Sequence, residues 1–233
     1  MVGKRIFLKR KLPDPGIVSR FAALPAANVA DVLNRSCAMH PRIRLMSKPS
    51  SPMVGVAYTV KTRPGDNLTI HAAMNLMGEG DVLVVSNEND DSRALMGEIM
   101  FSYLKYQKKI AGIVLDGPLR DYDAVVGMEL PIYATGSTPG GPYKEGPGEI
   151  NVPISCGNVP VNPGDIILGD HDGVIVVPRQ SASAVLGAAE IYHQTDNAKL
   201  QAAVSGTAKR GWVDQLLTEK NYEIIDGCYS DEC

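Results

Sequence analysis

The sequence has no long apolar run and no excess of positive charge, and both absences exclude classes of protein. No stretch approaches the roughly 20 consecutive apolar residues of a membrane-spanning helix. The opening segment MVGKRIFLKRKLPDP has only Ile6, Phe7 and Leu8 as an apolar run, far short of a signal-peptide core. A net charge of -3 and a pI near 5.8 give no concentrated basic face for nucleic acid. We therefore expect a protein that binds neither a membrane nor nucleic acid.

Clustered cysteines are also missing. The chain has four cysteines, at positions 37, 156, 228 and 233, and none of them forms a C-x-x-C pair. This spacing indicates neither a zinc knuckle nor a disulfide framework. We expect reduced thiols and a cytoplasmic location.

The common nucleotide and calcium motifs are absent as well. No G-x-G-x-x-G follows a strand pattern, and no G-x-x-x-x-G-K-[ST] occurs. The acidic residues Glu88, Asp90 and Asp91 lack the D-x-D-x-D-G spacing of a calcium loop. We interpret Asp90, Asp91 and Ser92 as N-capping residues of a following helix.

The pattern that is present predicts an α/β protein with at least one substantial core. The chain has 233 residues and is 44% hydrophobic, which is enough for one large core or two modest ones. The run MVGVAYTV predicts a strand, LTIHAAMNLMGEG a helix ended by glycines, and DVLVVS a strand buried on both faces. A strand, a helix and a further strand in succession favour a β/α layer over an all-β sandwich.

The stretch from Leu95 to Asp121 contains the residues that we expect to form the functional site. A helix pattern opens just after Ser92, with apolar residues at positions 95, 99, 103, 104 and 106, and gives way to the strand pattern IVL. The turn Asp116-Gly117-Pro118 ends that strand, so Arg120 and Asp121 should stand at its C-terminal edge. Ligands of α/β folds collect at such edges.

The start of the same unit offers donors for an anion. Gly97 and Glu98 lie where the first free backbone N–H groups of a helix point at an approaching anion. Those donors, the guanidinium of Arg120 and two carboxylates could converge on one pocket. We therefore predict a ligand site between Leu95 and Asp121.

Three further segments each allow a functional and a structural interpretation. The loop from Ser137 to Gly148 is long and rich in glycine and proline, which is typical of a lid or binding loop. Lys144 within it is a candidate for a substrate carboxylate, although exposed loop lysines are more often solubilising charges. We interpret His71 as a packed or capping residue, because no other His or Cys is spaced to share a metal with it. The Asp170–Gly173 segment predicts a hairpin turn better than a metal site.

Four motifs occur in this order along the chain: GEGDVLVV, ALMGE, AGIVLDGPLRD and NPGDIILGDHDGVIVVP. Together they resemble the RraA-like family. That family includes divalent-metal-dependent pyruvate aldolases that cleave 4-hydroxy-4-methyl-2-oxoglutarate and 4-carboxy-4-hydroxy-2-oxoadipate, and many of them also decarboxylate oxaloacetate. The resemblance covers about residues 25–180. It implies a layered α-β-β-α sandwich similar to the swivelling phosphohistidine domain, with an N-terminal arm (1–24) and a C-terminal helical extension (181–233).

The resemblance also implies roles for the residues of the central stretch. Asp121 would be the direct ligand of Mg²⁺ or Mn²⁺, and Arg120 would pair with the keto or enolate oxygen of a 2-oxo acid. The backbone amides of Leu95, Met96, Gly97 and Glu98 would bind the pyruvyl carboxylate, and the Glu98 carboxylate would orient metal-bound water. Family members suggest a homotrimer or homohexamer.

This chain differs from the aldolases at one place and from a non-catalytic branch at another. It has one more residue between Glu98 and Arg120 than the aldolases have, which we interpret as an insertion between Lys105 and Ile110. The alternative function is that of a protein-binding regulator of ribonuclease E, the activity that names the family. That lineage lacks the acidic residue after the arginine, whereas this chain has Asp121.

Overall fold

The computed structural model describes residues 2–229; the last four residues of the predicted C-terminal extension (181–233) lie outside them. The helices are α1 (Pro15–Arg20), α2 (Ala26–Val32), α3 (Leu68–Leu76), α4 (Glu98–Tyr103), α5 (Tyr122–Val125), α6 (Ala182–Val204) and α7 (Trp212–Glu219). The strands are β1 (Lys4–Ile6), β2 (Arg44–Leu45), β3 (Met53–Thr62), β4 (Asp81–Ser86), β5 (Gly112–Asp116), β6 (Ile132–Ala134), β7 (Gly148–Ile150), β8 (Ile154–Cys156), β9 (Val159–Val161), β10 (Ile166–Asp170) and β11 (Gly173–Val177).

A nine-stranded mixed sheet organises the fold, with the path β1-β7-β3-β4-β5-β6-β2 and with β10 and β11 joined to it through β3. Strands β3, β4, β5 and β6 are parallel neighbours. The ten residues of β3 allow it to pair with β10 near its start and with β7 near its end. A separate two-stranded sheet is formed by β8 and β9. The parallel centre and its crossover helices confirm the predicted α/β class.

The central strands are buried on both faces, which explains their near-continuous apolar sequence. In β4, Leu83 and Val85 pack in a core shared with α3 and α4. The alternate residues Val82 and Val84 pack in a second core shared with β8 and β9. A third core joins β10 and β11 to α1, α2 and α6. The closer comparison with a phosphohistidine domain stays a prediction.

The chain divides into two compact units, residues 1–193 and 194–233. The N-terminal arm belongs to the first unit, because β1 pairs in parallel with β7. The predicted boundaries after residues 24 and 180 stay predictions. None of the helices within residues 2–229 is long and apolar enough to cross a membrane.

Three local predictions differ from the structure. The helix expected just after Ser92 begins at Glu98, because residues 94–96 are held in extended backbone by neighbouring loops. Position 99 on that helix is exposed and not part of the core. The prediction of reduced thiols agrees with the buried, free Cys37 and Cys156 but not with Cys228, which is disulfide-bonded.

Candidate active site

Two loops meet beyond the carboxyl end of β5. The loop after the strand runs through Leu119, which forms isolated bridges with both Met96 and Ser137. The Arg120 amide donates to the Met96 carbonyl at 3.0 Å, and the Leu95 amide donates to the Pro118 carbonyl at 2.9 Å. These backbone bonds fix residues 94–98 against residues 117–121. The predicted placement of Arg120 and Asp121 at the end of a central parallel strand is confirmed.

Asp121 has a backbone conformation that few residues adopt. Its φ of 60° and ψ of 42° lie in the left-handed region, which costs energy for most residues and is tolerated best by Gly, Asn and Asp. Its Oδ2 accepts a hydrogen bond from the backbone N–H of Glu98 at 3.0 Å. The carboxylate is thus oriented across the gap between the two loops. Strained residues of this kind concentrate at functional sites.

Arg120 and Asp121 form an open pair and not a tight salt bridge. The Nε of Arg120 lies 3.7 Å from Oδ2 of Asp121, and the side chains are 45% and 42% exposed. An ion pair this exposed contributes little to stability. Both charges therefore remain accessible to a ligand.

Gly97 allows the carboxylate and the guanidinium to approach this closely. A Cβ at position 97 would overlap Oδ2 of Asp121 and would lie 2.9 Å from Cγ and 3.0 Å from Nε of Arg120. The φ of Gly97 is -143°, a value that any residue can adopt. The requirement for glycine is therefore one of space.

The four backbone amides predicted to bind a carboxylate differ in availability. The Leu95 amide donates to the Pro118 carbonyl and the Glu98 amide to Asp121, so both are occupied in this structure and their predicted role in substrate binding stays a prediction. The amides of Met96 and Gly97 have no hydrogen-bond partner among residues 2–229. Two adjacent donors are left for an anion.

Two cavities lie on either side of Arg120. The first, of about 190 Å³, is lined by Asn67, His71, Leu95, Met96, Gly97, Ile99, Met100, Arg120, Pro142 and Lys144. The second, of about 320 Å³, is lined by residues 120–122 and 137–139. Arg120 is the residue common to both linings, and Asp121 lies next to Gly97.

The first cavity contains side chains that the sequence interpretation left out of the site. His71 and Lys144 both line it, and the 137–148 loop supplies the second of them, as a binding loop would. Burial lowers the pKa of the His71 imidazole below its usual value, and the positive charge of Lys144 lowers it further. Asn67 is buried, donates to the Leu95 carbonyl at 2.9 Å, and has an Oδ1 with no partner in the described chain. The sequence signal for Asn67 and His71 was their place near the start of a helix after a strand, and the signal for Lys144 was its place in a long glycine- and proline-rich loop.

Glu98 contacts Asp121 through its backbone N–H. Its side chain is exposed and is not among the described residues that line the two cavities, and the predicted role of its carboxylate in orienting metal-bound water stays a prediction. Downstream, Leu104–Lys108 form a π-helical turn and Lys109 is left-handed. A π turn holds one extra residue per turn, which agrees with the interpretation of an insertion between Lys105 and Ile110. The extra residue is absorbed at the far end of the helix from the site.

The mixed sheet, its helices and the polar side chains beyond one parallel strand are those of an α/β protein. Sequence comparison then identifies its family. Residues 26–176 match the RraA-like family model, described as Aldolase/RraA. The chain belongs to this family. The recognition made from the four motifs is confirmed.

A relative from Halalkalibacterium halodurans is 35% identical over 201 residues, covering 86% of this chain and 95% of that protein; its name reads "Putative 4-hydroxy-4-methyl-2-oxoglutarate aldolase". A crystal structure of an uncharacterized protein from Pseudomonas syringae pv. tomato superposes with a TM-score of 0.74 at 26% identity, covering 84% of this chain and 96% of that one. Streptomyces coelicolor RraAS2, described as an unusual member of the RNase ES inhibitor RraA family, superposes with a TM-score of 0.72 at 26% identity, covering 81% and 98%. Aldolase and inhibitor names both occur among the proteins similar to this chain.

Proposed function

We propose that this protein is a divalent-metal-dependent aldolase that cleaves a 4-hydroxy-2-oxo dicarboxylic or tricarboxylic acid to pyruvate and a second keto acid. The observation that carries the proposal is the group formed by Arg120, Asp121 and the amide of Glu98. A strained, half-exposed carboxylate is held in place beside a guanidinium that has no tight ion-pair partner within residues 2–229. The relative's aldolase name supports the same reaction class.

The donor set fits a hard cation that keeps most of its water. Within residues 2–229 no group of three or more His, Cys, Asp or Glu is arranged to hold a metal, which argues against a dedicated cage. Mg²⁺ is commonly bound by one or two carboxylates plus several waters. Asp121 would hold Mg²⁺ or Mn²⁺ through the carboxylate that Glu98 orients. When bound, such an ion supplies positive charge for the oxygens of a 2-oxo acid.

The bond that breaks in the proposed reaction joins C3 and C4 of the substrate. A general base takes the proton of the C4 hydroxyl, C4 becomes the carbonyl of the second keto acid, and the bonding electrons form the enolate of pyruvate, which then takes up a proton at C3 to give pyruvate. Negative charge therefore grows on the C2 oxygen. Arg120 would stabilise that charge more in the transition state than in the ground state, which is the condition for catalysis.

The two carboxylates of the substrate have separate candidates for their recognition. The unpaired amides of Met96 and Gly97 would take the carboxylate next to the keto group. Lys144, on the loop that closes the first cavity, would pair with a distal carboxylate. The neutral His71 imidazole beside it adds a group that can accept a hydrogen bond or a proton.

Oxaloacetate decarboxylation fits the same arrangement. Loss of CO₂ from C3 of oxaloacetate leaves the same pyruvate enolate, so Arg120 would face the same developing charge. We propose this as a second activity of the one site.

A homotrimer or homohexamer is part of the proposal. The helix α4 and the π turn after it expose three large apolar side chains, Ile99 at 82%, Tyr103 at 38% and Tyr106 at 66%. Apolar surface grouped in this way is typical of a protein–protein contact. Because Ile99 also lines the first cavity, a neighbouring subunit on this face would border the site.

The alternative is a regulator that binds ribonuclease E without turnover; RraAS2, whose structure is similar, is described as an unusual member of the RNase ES inhibitor RraA family. Asp121 favours the enzyme, because a left-handed, hydrogen-bonded carboxylate has no evident use in a passive binding surface. Turnover by the purified parent protein separates the two functions.

The test is release of pyruvate from 4-hydroxy-4-methyl-2-oxoglutarate, measured with a lactate dehydrogenase couple. The parent should be inactive in EDTA and active after excess Mg²⁺ or Mn²⁺ is added. Asp121→Asn should abolish this activity, because it removes the charge and keeps a residue that tolerates the left-handed backbone.

Asp123→Asn is the matched control, since Asp123 is an exposed acid two positions along the chain that lines neither cavity. It should retain parental activity. Turnover in EDTA well above the spontaneous rate, or full activity in Asp121→Asn, would overturn the proposal.

A further inference from the structure

A groove of about 350 Å³ lies under the N-terminal arm, and it shares no lining residue with either cavity beside Arg120. Five of its lining residues are cationic: Arg5, Lys9, Arg10, Lys11 and Arg179. Among residues 2–229, no acidic residue lines it. In a chain of net charge -3, this is a local concentration of positive charge.

Two of the five cations already have partners. Arg5 pairs with Glu149, and Arg10 pairs with Asp81 while its guanidinium stacks on the Tyr58 ring at 4.6 Å. These two side chains attach the arm to the body of the fold.

The other three cations, Lys9, Lys11 and Arg179, form no ion pair within the described residues. The arm supplies the first two and the segment after β11 supplies the third. Their mutual repulsion in one groove is unfavourable unless an anion relieves it. These three unpaired cations are therefore the ones available to a ligand.

The arm is held in a single position, so the groove is formed before any ligand arrives. Strand β1 pairs with β7, and Asn151 donates its Nδ2 to the Phe7 carbonyl at 2.8 Å. The Lys11 carbonyl occupies the space that a Cβ at Gly164 would need. A preorganised set of cations loses little entropy on binding.

The floor of the groove contains one further unsatisfied group. Asn151 is buried, and its Oδ1 has no hydrogen-bond partner in the part of the chain that the structure describes. Buried polar atoms without a partner are rare in folded proteins and often mark a missing water or ligand. Asn151 is among the residues that line the groove, and its side chain also interacts with the Tyr58 hydroxyl.

We propose that this groove is a binding site for a phosphate group, carried either by inorganic phosphate or by a small phosphorylated metabolite. Phosphate is doubly charged near neutral pH and presents several acceptor oxygens, which suits two ammonium groups and one guanidinium from different directions. The volume leaves room for a small organic part. The site does not depend on the proposed aldolase function.

Isothermal titration calorimetry at constant ionic strength tests the site, with inorganic phosphate in one series and glycerol 1-phosphate in another. The parent should bind at least one of them saturably, with one site per chain. If only the ester binds, the ligand is a phosphorylated metabolite. The double variant Lys9→Gln/Lys11→Gln should weaken binding by on the order of tenfold or more, because it removes two of the three unpaired charges.

Two controls locate the binding. Lys4→Gln removes one exposed charge from the same arm outside the groove and should bind like the parent. Arg120→Lys should also bind like the parent if the phosphate site is separate from the catalytic cavity. The proposal is overturned if neither ligand binds saturably, if the double variant binds as tightly as the parent, or if only Arg120→Lys loses binding.

Discussion

The backbone N–H of Glu98 donates to Oδ2 of Asp121 at 3.0 Å across a gap of 23 residues in the chain. This one bond joins the start of α4 to the loop after β5 and orients the carboxylate that we assign to the metal. It also uses an amide that the sequence suggested for the substrate. Catalysis by this site would thus depend on how closely the two loops approach each other.

Gly97→Ala tests that dependence. The added Cβ would overlap Oδ2 of Asp121 and crowd Arg120, so the carboxylate and the guanidinium must both shift. Displacements of about 1 Å at a reacting group can cost on the order of 10² in rate. We expect kcat for pyruvate release to fall by about that factor while the fold persists, as measured by steady-state kinetics and circular dichroism.

Gly187→Ala is its control, because a Cβ at this position in α6 meets no atom within 4 Å. Activity should be unchanged and stability should rise by roughly 0.4–1 kcal/mol, as for Gly to Ala in a helix. Parental kcat in Gly97→Ala would show that the close approach is irrelevant to turnover.

Arg120→Lys tests the guanidinium. The change keeps the positive charge and loses the planar set of donors that can face an enolate oxygen. The value of kcat should fall by on the order of 10² or more, in line with removal of one preorganised donor. Binding of oxalate, an enolate mimic, should weaken in parallel when followed by competition kinetics. Equal turnover of oxaloacetate by variant and parent would place the site elsewhere.

Lys144→Gln tests the electrostatics of the first cavity. Lys144 is the second cause, after burial, of the lowered pKa of His71. Removing the lysine should therefore raise that pKa toward 6.5, and burial should keep it below that value. Titration of the histidine ring signals by NMR measures the change, with His71→Gln used to assign the signal. An unchanged pKa in the variant would mean that the lysine does not reach the cavity in solution.

The same variant should affect substrates unequally. If Lys144 pairs with a distal carboxylate, the KM for 4-hydroxy-4-methyl-2-oxoglutarate should rise, while binding of pyruvate, which has no distal carboxylate, should change little. Lys105→Gln, at a half-buried lysine of the π turn that is not among the described residues lining either cavity, is the control. Equal weakening of both ligands would contradict a role specific to the distal group.

Ile99→Glu and Tyr106→Glu test the exposed apolar face formed by α4 and the π turn after it. Placing a charge at either exposed position should oppose burial of that face between subunits. We expect the mass measured by light scattering after size exclusion to fall below that of the parent. Leu8→Glu, at an equally exposed apolar residue of the N-terminal arm, should leave the mass unchanged. An unaltered mass in both variants would show that the subunits associate through another surface.

Local sequence determined the central strands and the position of the Arg120-Asp121 pair. Strands β4 and β5 could be predicted because burial on both faces requires a short, continuous apolar run, and few other structures produce one. The turn residues after β5 then placed the pair at a strand edge. Composition and motif order were sufficient for the α/β class and the family.

The tertiary structure alone decided which groups are available at the site. The helix start moved from Ser92 to Glu98 because residues 94–96 exchange backbone hydrogen bonds with loops distant in sequence. The same long-range bonds occupy the Leu95 and Glu98 amides and leave those of Met96 and Gly97. His71 and Lys144 meet in one cavity because a helix and a loop far apart in the chain pack on the same sheet edge. No periodicity or propensity of a single segment contains that information, since it depends on how separate segments satisfy each other's hydrogen bonds and fill shared space.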